Sequence, residues 1–285
     1  MLMECAMRIA IAAGLCCTVL FFTSPLMALP SPVKRQEAAA LSGNITAQIK
    51  LADDYLAQKE TVQAEYWFRK AAEQNNPYAQ NSLGKLLLLT DQSPDSLMQA
   101  KVWFEKAATQ QYAPAQTNLG NVYLHLADLN DKKNNNIVHA RYWFEKAARQ
   151  NVAVAQYQLG TMYLHAWGVK QDISKARTWF EKAAAQDQPD ALYQLGVMYY
   201  GGKGCEGNNC AIARHFYEKA ALQSHGAAQF YLSMMYLQGH GVAQDYDKGV
   251  SLMQASCDNG EQEACPWAKN LTEDGDKFRQ IFSVK

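Results

Sequence analysis

Apolar residues recur at helical spacing along most of this chain, in blocks that repeat. The pattern is clearest in three stretches: WFEKAATQQYAPAQTNLGNVYL from Trp103, WFEKAARQNVAVAQYQLGTMYL from Trp143 and WFEKAAAQDQPDALYQLGVMYY from Trp179. Weaker copies in the same register begin at Trp67, Phe216 and Leu252. The six anchor residues are 36, 40, 36, 37 and 36 positions apart. A nearly constant period of this length predicts a repeat architecture.

Each repeat predicts two helices joined by a turn. In the copy that begins at Trp143, Phe144 and Ala147 extend the apolar face of a first helix. Leu159 and Tyr163 lie on the apolar face of a second helix, again at helical spacing. The chain is therefore predicted to be all-α and to form a solenoid of about six helical hairpins.

Residues that begin and end helices flank each predicted first helix. Seven positions before the anchors, N-caps are predicted at Glu60, Ser96, Asn136, Asp172, Asn209 and Asp245, five of which are good capping types. Eight positions after the anchors, a left-handed helix end is predicted at Asn75, Gln111, Asn151, Asp187, Ser224 and Gly260. Alanines and glycines at fixed places let the helices approach closely, and Trp103, Trp143 and Trp179 are predicted to fill the remaining core.

The two ends of the array differ from its middle. The segment AQIKLADDYL at 47–56 matches AQTNLGNVYL at 115–124, so the array is predicted to begin with a lone second helix. The last copy, at Leu252, is degraded, as expected of a capping unit that turns a soluble face outward. The predicted organisation is a signal peptide at 1–28, a linker at 29–44, the solenoid at 45–272 and a polar C-terminal tail at 273–285.

The N-terminal segment has the layout of a secretory signal peptide. Arg8 precedes an apolar stretch from Ile9 to Phe22, and Ala28 is placed for cleavage. An uncleaved anchor is the alternative, and translation starts at Met1 or Met7. Cleavage would leave no membrane-spanning segment and an even number of cysteines, in a periplasmic or extracellular setting that favours disulfides. Lys plus Arg and Asp plus Glu both number 27, which argues against nucleic acid as a partner.

The recurring motif Ala-x-x-Trp-Phe-Glu-Lys-Ala-Ala, followed by Ala-Gln-x-x-Leu-Gly-x-x-Tyr-Leu and by linkers such as GVKQD at 168–172, resembles the Sel1-like repeat family. This family is a cousin of the tetratricopeptide repeats. The resemblance covers about residues 45 to 272 and implies a right-handed α/α superhelical solenoid. It also implies a protein-binding scaffold of the bacterial envelope rather than an enzyme.

Four cysteines follow the predicted cleavage point: Cys205, Cys210, Cys257 and Cys265. Cys257 replaces an inward alanine of the other first helices, and Cys265 replaces a glutamine early in the second helix. The hairpin brings these two positions face to face, and their eight-residue spacing resembles the cysteine-rich secreted branch of the family. Two disulfides, one within each local pair, are the preferred interpretation. A zinc site is the alternative, formed by the four thiolates or by two of them with His215 or His240.

Recognised catalytic motifs do not appear in the sequence. It has neither a Gly-x-Ser-x-Gly elbow nor a His-Glu-x-x-His helix, and the GGKG at 201–204 is interpreted as a turn. No cofactor or metal is therefore expected. Members of the cysteine-rich branch have been described as penicillin-binding or weakly β-lactam-hydrolysing, which makes a β-lactam-related enzyme the alternative function.

The family resemblance implies that positions 14 and 18 after each anchor point into a concave groove. These positions are Asn81, Lys85, Thr117, Asn121, Tyr157, Thr161, Tyr193, Val197, Phe230 and Met234. The series changes from polar to aromatic and apolar along the chain, which suits an extended peptide or a partner helix. Packing between successive second helices is the competing interpretation. The expected partner is a protein or peptide of unknown identity, with peptidoglycan as a further candidate.

Overall fold

The structure of this protein is a computed structural model, which describes residues 32–91, 93–127, 135–201 and 207–273. All of the regular structure in these residues is helical. The helices are α1 (Pro32–Leu41), α2 (Ile45–Ala57), α3 (Thr61–Glu73), α4 (Pro77–Thr90), α5 (Pro94–Thr109), α6 (Ala113–His125), α7 (Asn135–Arg149), α8 (Ala153–His165), α9 (Ile173–Ala184), α10 (Pro189–Tyr200), α11 (Asn208–Ala221), α12 (Gly226–Gln238), α13 (Tyr246–Asp258) and α14 (Ala264–Glu273).

Each helix packs on the next along the chain, so that the described helices form an extended array of hairpins. The prediction of an all-α solenoid of about six repeats is confirmed. The first hairpin differs from the prediction, because α1 occupies part of the range assigned to a linker and packs on α2. The Gln48 side chain donates to the Ala40 carbonyl oxygen at 2.9 Å, just as Gln80 donates to Ala72 one hairpin later. The second helix at the start of the array is therefore not alone.

The predicted left-handed helix ends are confirmed. Backbone φ is 64° at Asn75, 63° at Asn151, 55° at Asp187 and 91° at Gly260. Gln111 and Ser224 take the same conformation, with φ of 63° and 61°, although neither is a favoured type. The repeat geometry thus overrides residue preference at these two turns.

The N-cap predictions hold only in part. The side chains of Asp172 and Asp245 accept the backbone N–H groups of Lys175 and Lys248, as expected. The prediction at Ser96 is wrong, because Pro94 at the first helical position lets α5 begin earlier, with Ser93 as its cap. Asn136 and Asn209 lie inside α7 and α11, and Glu60 stands at the N-cap of α3 without a capping side-chain bond.

The contact between successive hairpins is made by an aromatic ring lying on a glycine. A Cβ placed on Gly120 would lie 2.5 Å from the Phe144 ring, and one on Gly160 would lie 2.5 Å from the Phe180 ring. The core aromatic is therefore the residue after each anchor tryptophan. The tryptophans themselves are only partly buried, so their predicted place in the core is wrong in extent. They lie at its edge, where the Lys106 ammonium sits 4.1 Å from the centre of the Trp103 ring.

Candidate partner-binding surface

The second helices of the hairpins form a layer in which neighbours touch. Contacts join α4 to α6 and α10 to α12. All ten residues predicted to bind a partner lie on this series, on α4, α6, α8, α10 and α12. They divide into a polar half on α4 and α6 and an aromatic half on α8, α10 and α12.

In the polar half, two of the predicted residues are buried. Asn81 and Thr117 expose 6% and 5% of their surface. The Asn118 amide donates a 2.8 Å hydrogen bond to the Asn81 side-chain oxygen, and the Thr117 hydroxyl donates to the Ala113 carbonyl oxygen. These contacts give both residues a packing role between or within second helices, and their binding role stays a prediction.

Lys85 and Asn121 instead line a cavity in this half of the layer, which we call the N-terminal cavity. Its volume is about 600 Å³. Apolar side chains from α2, α4, α5 and α6 dominate its lining: Leu56, Leu86, Leu88, Leu89, Leu97 and Val122. The rings of Phe68 and Phe104 also line it, and His125 contributes a polar group.

In the aromatic half, partly buried rings are in contact across α10 and α12. The rings of Tyr193 and Tyr231 are 6.0 Å apart, and those of Phe230 and Tyr231 are 5.7 Å apart. Tyr200 lies 6.0 Å from Tyr231, and Tyr157 on α8 packs 5.8 Å from Phe180. We call Tyr157, Tyr193, Tyr200, Phe230 and Tyr231 the aromatic patch. Thr161, Val197 and Met234 are partly buried on the same helices.

Burial controls the ionisation of this patch. It raises the pKa of Tyr193 to about 12, with a smaller contribution from Tyr231. Burial also raises the pKa of Tyr157 and of Tyr200. The neutral form of these phenols, which can donate hydrogen bonds, therefore persists to higher pH than in an exposed tyrosine.

Tyr217 lies beneath the patch and occupies the place of Phe104, Phe144 and Phe180 in the other repeats. Its ring stacks on Tyr231 at 5.5 Å, and burial raises the pKa of its phenol well above the usual range. The Tyr217 hydroxyl has no hydrogen-bond partner among the described residues. A buried hydroxyl of this kind costs stability.

Beside the patch, the His225 side chain links α10 to α12. Its ring stacks on Tyr193 at 4.8 Å, and its Nδ1 accepts the backbone N–H of Ala228 at the start of α12. Its Nε2 lies 3.4 Å from the Asp190 carboxylate. The hydrogen bond from His225 holds the pKa of Asp190 below its ordinary value. The histidine thus fixes the orientation of Tyr193 relative to α12.

Sequence reasoning missed Tyr200, Tyr231 and His225 in one half, and Leu89 and His125 in the other. The missed signal was the helical period. Counting from position 18 by three or four residues gives positions 15 and 22, which include Tyr231, Leu89 and His125 but neither Tyr200 nor His225. Position 14, used in the prediction, contacts position 15 of the next second helix in the pair Asn81 and Asn118.

All three cysteines in the described residues are disulfide-bonded. Cys257 and Cys265 form a disulfide with a Cα–Cα distance of 4.8 Å, which confirms the predicted pair. Cys210 is also disulfide-bonded, while its predicted partner Cys205 lies outside the described residues. In the described part of the chain, no group of three or more His, Cys, Asp or Glu side chains could hold a metal ion.

Two further observations bear on the remaining predictions. No helix in the described ranges is both long enough and apolar enough to cross a membrane. The predicted signal peptide at 1–28 and the tail beyond Glu273 lie outside these ranges, so both stay predictions.

The fold and this surface define an α-solenoid of helical-hairpin repeats with a continuous layer of second helices. The family model described as "Sel1 repeat" matches this chain six times: at residues 45–76, 77–112, 113–152, 153–188, 189–225 and 226–261. The chain therefore belongs to the Sel1 repeat family. Members of this family are generally non-catalytic scaffolds for protein–protein interactions.

Two solved structures are similar over most of the chain. The first is c5321, a protective antigen present in uropathogenic Escherichia coli strains, with 32% identity over 86% of this chain and a TM-score of 0.69. This chain spans only about half of c5321, 52% of its length. The second is a Sel1 repeat protein from Oxalobacter formigenes, with 26% identity, a TM-score of 0.66 and coverage of 84% of this chain and 91% of the other. A search of curated proteins gives no match.

Proposed function

We propose that this protein is a non-catalytic scaffold of the bacterial cell envelope that binds a peptide or partner helix along a groove formed by its second helices. The aromatic patch carries the proposal. Four of its rings pack on one another through Tyr231, and the Tyr157 ring packs on Phe180; all five remain partly exposed, so they are already ordered before a partner arrives. Ordered aromatic side chains bury a large area and lose little conformational entropy on binding.

The polar atoms at the patch can form directional hydrogen bonds with a partner. The neutral phenols of Tyr193 and Tyr200 are hydrogen-bond donors, and the Tyr200 hydroxyl already lies 3.2 Å from His240 Nδ1. A partner backbone offers carbonyl acceptors along its length. Aromatic burial combined with a few hydrogen bonds fits the recognition of a peptide or helix.

The test replaces Tyr157, Tyr193 and Phe230 together with serine and measures partner capture by crosslinking in the intact envelope. Loss of the partners captured by the wild type is expected, with the helical circular dichroism retained. A matched control replaces Tyr66, Val102 and Tyr142, which are exposed on the first helices, with serine. Undiminished capture by a folded triple variant of the aromatic patch, or equal loss in the control, would refute the proposed groove.

Export is the second part of the proposal. The apolar N-terminal segment supports it, as does the Cys257–Cys265 disulfide, because disulfides persist in oxidising compartments. Cell fractionation together with N-terminal sequencing of the accumulated protein should find a processed chain in the periplasm or the medium. Accumulation in the cytosol with an intact leader would rule out this localisation.

A further inference from the structure

The N-terminal cavity differs in chemistry from the aromatic patch and lies in the other half of the array. Its floor and walls are apolar. Phe68, Phe104, Leu86 and Val122 are buried, whereas Leu89 is 70% exposed at its rim. A volume of about 600 Å³ is within the range typical of small-molecule sites. A mainly apolar lining that includes some polar groups is also typical of such sites.

The solenoid itself does not require an exposed leucine at this rim. Leu89 stands 22 positions after its anchor, and the equivalent residues in the next four repeats are His125, His165, Gly201 and Gln238. These repeats form the same helical hairpins with polar residues or glycine there. Exposed leucine therefore has no evident role in holding the array together, but it enlarges the apolar surface at the cavity.

The lining of the cavity includes one acidic side chain, Asp53, and one lysine, Lys85. The Asp53 carboxylate on α2 keeps its negative charge and accepts hydrogen bonds from the Tyr78 hydroxyl at 3.0 and 3.3 Å. Lys85 is exposed and forms no ion pair among the residues that the structure describes. On α6, the side chains of Asn118, Asn121 and His125 line the same space. Lys85 therefore supplies the positive charge on the part of the lining formed by α4 and α6, whereas the carboxylate of Asp53 is on α2.

We propose that the N-terminal cavity binds a single-chain amphiphile with an anionic head group. The hydrocarbon chain lies among the leucines and the two phenylalanine rings, and the head group meets the Lys85 ammonium beside Asn121. Carboxylate and phosphate head groups share this chemistry, because a lysine ammonium acts as a point charge toward both. This site is separate from the aromatic patch and does not depend on the protein-binding function proposed above.

Isothermal titration calorimetry of the full chain tests the proposal, with three probes below their micellar concentrations: dodecanoate, dodecyl phosphate and dodecyltrimethylammonium. One equivalent of an anionic probe should bind at least about tenfold more tightly than the cationic probe, as expected for one charge-assisted contact. Binding of dodecanoate alone would identify a carboxylate ligand, and binding of dodecyl phosphate alone would identify a phosphate. Equal binding of all three probes, or no binding of either anion, would overturn the proposal.

Variants separate the two parts of the site. Lys85→Met should remove the preference for anions, and Lys85→Glu should reverse it in favour of the cationic probe. Leu89→Asp should weaken the anionic probes by about tenfold or more through lost apolar burial and added repulsion. The control Lys146→Met alters a lysine that packs over Tyr142 on a first helix and should leave binding unchanged. Anion binding that survives both changes at Lys85 in a folded protein would also overturn the proposal.

The Tyr157, Tyr193 and Phe230 serine variant should bind the anionic probes as the wild type does. Loss of protein capture with retained probe binding would support both proposals at once. Loss of probe binding in this variant, with the helical signal intact, would contradict the assignment of the probe to the N-terminal cavity.

Discussion

The side-chain amide of Gln110 donates a 2.8 Å hydrogen bond to the side-chain oxygen of Gln80, one hairpin earlier in the array. Gln80 is 1% exposed, and its own amide donates to the Ala72 carbonyl oxygen at 3.2 Å. The same pair of bonds recurs at Gln48, Gln116, Gln156 and Gln229, with donors from Gln74, Gln150, Gln186 and Asn259. These buried glutamines connect each hairpin internally and also join it to the next hairpin.

Removal of one buried glutamine should therefore destabilise the array. Gln116→Leu leaves the Ala108 carbonyl oxygen without its side-chain donor, and Gln150 without its acceptor. We expect a loss of about 1–3 kcal/mol in the free energy of unfolding, because each of the two lost hydrogen bonds contributes about 0.5–1.5 kcal/mol. Urea denaturation followed by circular dichroism measures it. The exposed Gln99→Leu is the matched control, and similar stability of both variants would contradict a stabilising role for the glutamines.

The ring–glycine contact predicts a steric effect. In Gly120→Ala the new Cβ would lie 2.5 Å from the Phe144 ring, so the hairpins must separate or the ring must move. A destabilisation of about 1–3 kcal/mol is expected, as for other overpacked cores. A double-mutant cycle with Phe144→Ala should show that the two changes are strongly non-additive. Additive effects would mean that the contact does not limit the approach of the hairpins.

Tyr217→Phe should stabilise the protein. The change restores the residue type found at Phe104, Phe144 and Phe180, and it removes a buried hydroxyl without a partner in the described structure. The expected gain is about 1 kcal/mol or more in the free energy of unfolding. The exposed Tyr66→Phe serves as control and should change little. A loss of stability in Tyr217→Phe would reveal a bond that the buried hydroxyl makes.

Alkaline pH should weaken the fold through the aromatic patch. The pKa of Tyr193 is raised from 10.0 to about 12, so between these values the unfolded chain loses a proton that the folded chain keeps. The contribution is fully present below pH 10 and is lost as the pH rises toward 12. Urea unfolding between pH 9 and 11.5 should show a shallower decline for Tyr193→Phe than for the wild type. The same slope in both proteins, with Tyr66→Phe as reference, would refute this linkage.

The disulfide of the last hairpin stands where the other hairpins have the bond from glutamine to an alanine carbonyl. Replacing Cys257 and Cys265 with alanine should cost about 2.5 kcal/mol, from the loop that the bridge closes. The double substitution Cys257→Ala with Cys265→Gln restores the residues of the other repeats and should regain part of this loss. Thermal melts with and without reductant measure both effects. If reductant does not change the melting temperature of the wild type, the Cys257–Cys265 disulfide contributes little to stability.

The repeat, its helices and the left-handed turns at Asn75 and Asn151 follow from local properties of the chain, namely helical spacing and turn preference. The register of the repeats also shows that Cys257 and Cys265 stand where the other repeats have an alanine and a glutamine. The first helix, α1, escaped prediction because it lacks the tryptophan anchor. The structure shows α1 joined to α2 by the hydrogen bond from the Gln48 side chain to the Ala40 carbonyl oxygen.

The side chains that converge between neighbouring hairpins are set by the way the hairpins pack on one another. Three features depend on the angle at which one hairpin packs on the next. They are the contact of the Phe144 ring with Gly120, the hydrogen bond from Gln110 to Gln80, and the position of Lys85 in the lining of a leucine-rich cavity. A shift of one residue along a second helix turns a side chain by about 100°, which separates the buried Asn81 from the partly exposed Ser82 that follows it. The period of the sequence specifies the helices, while the packing of alanine, glycine and aromatic rings sets the angles between them.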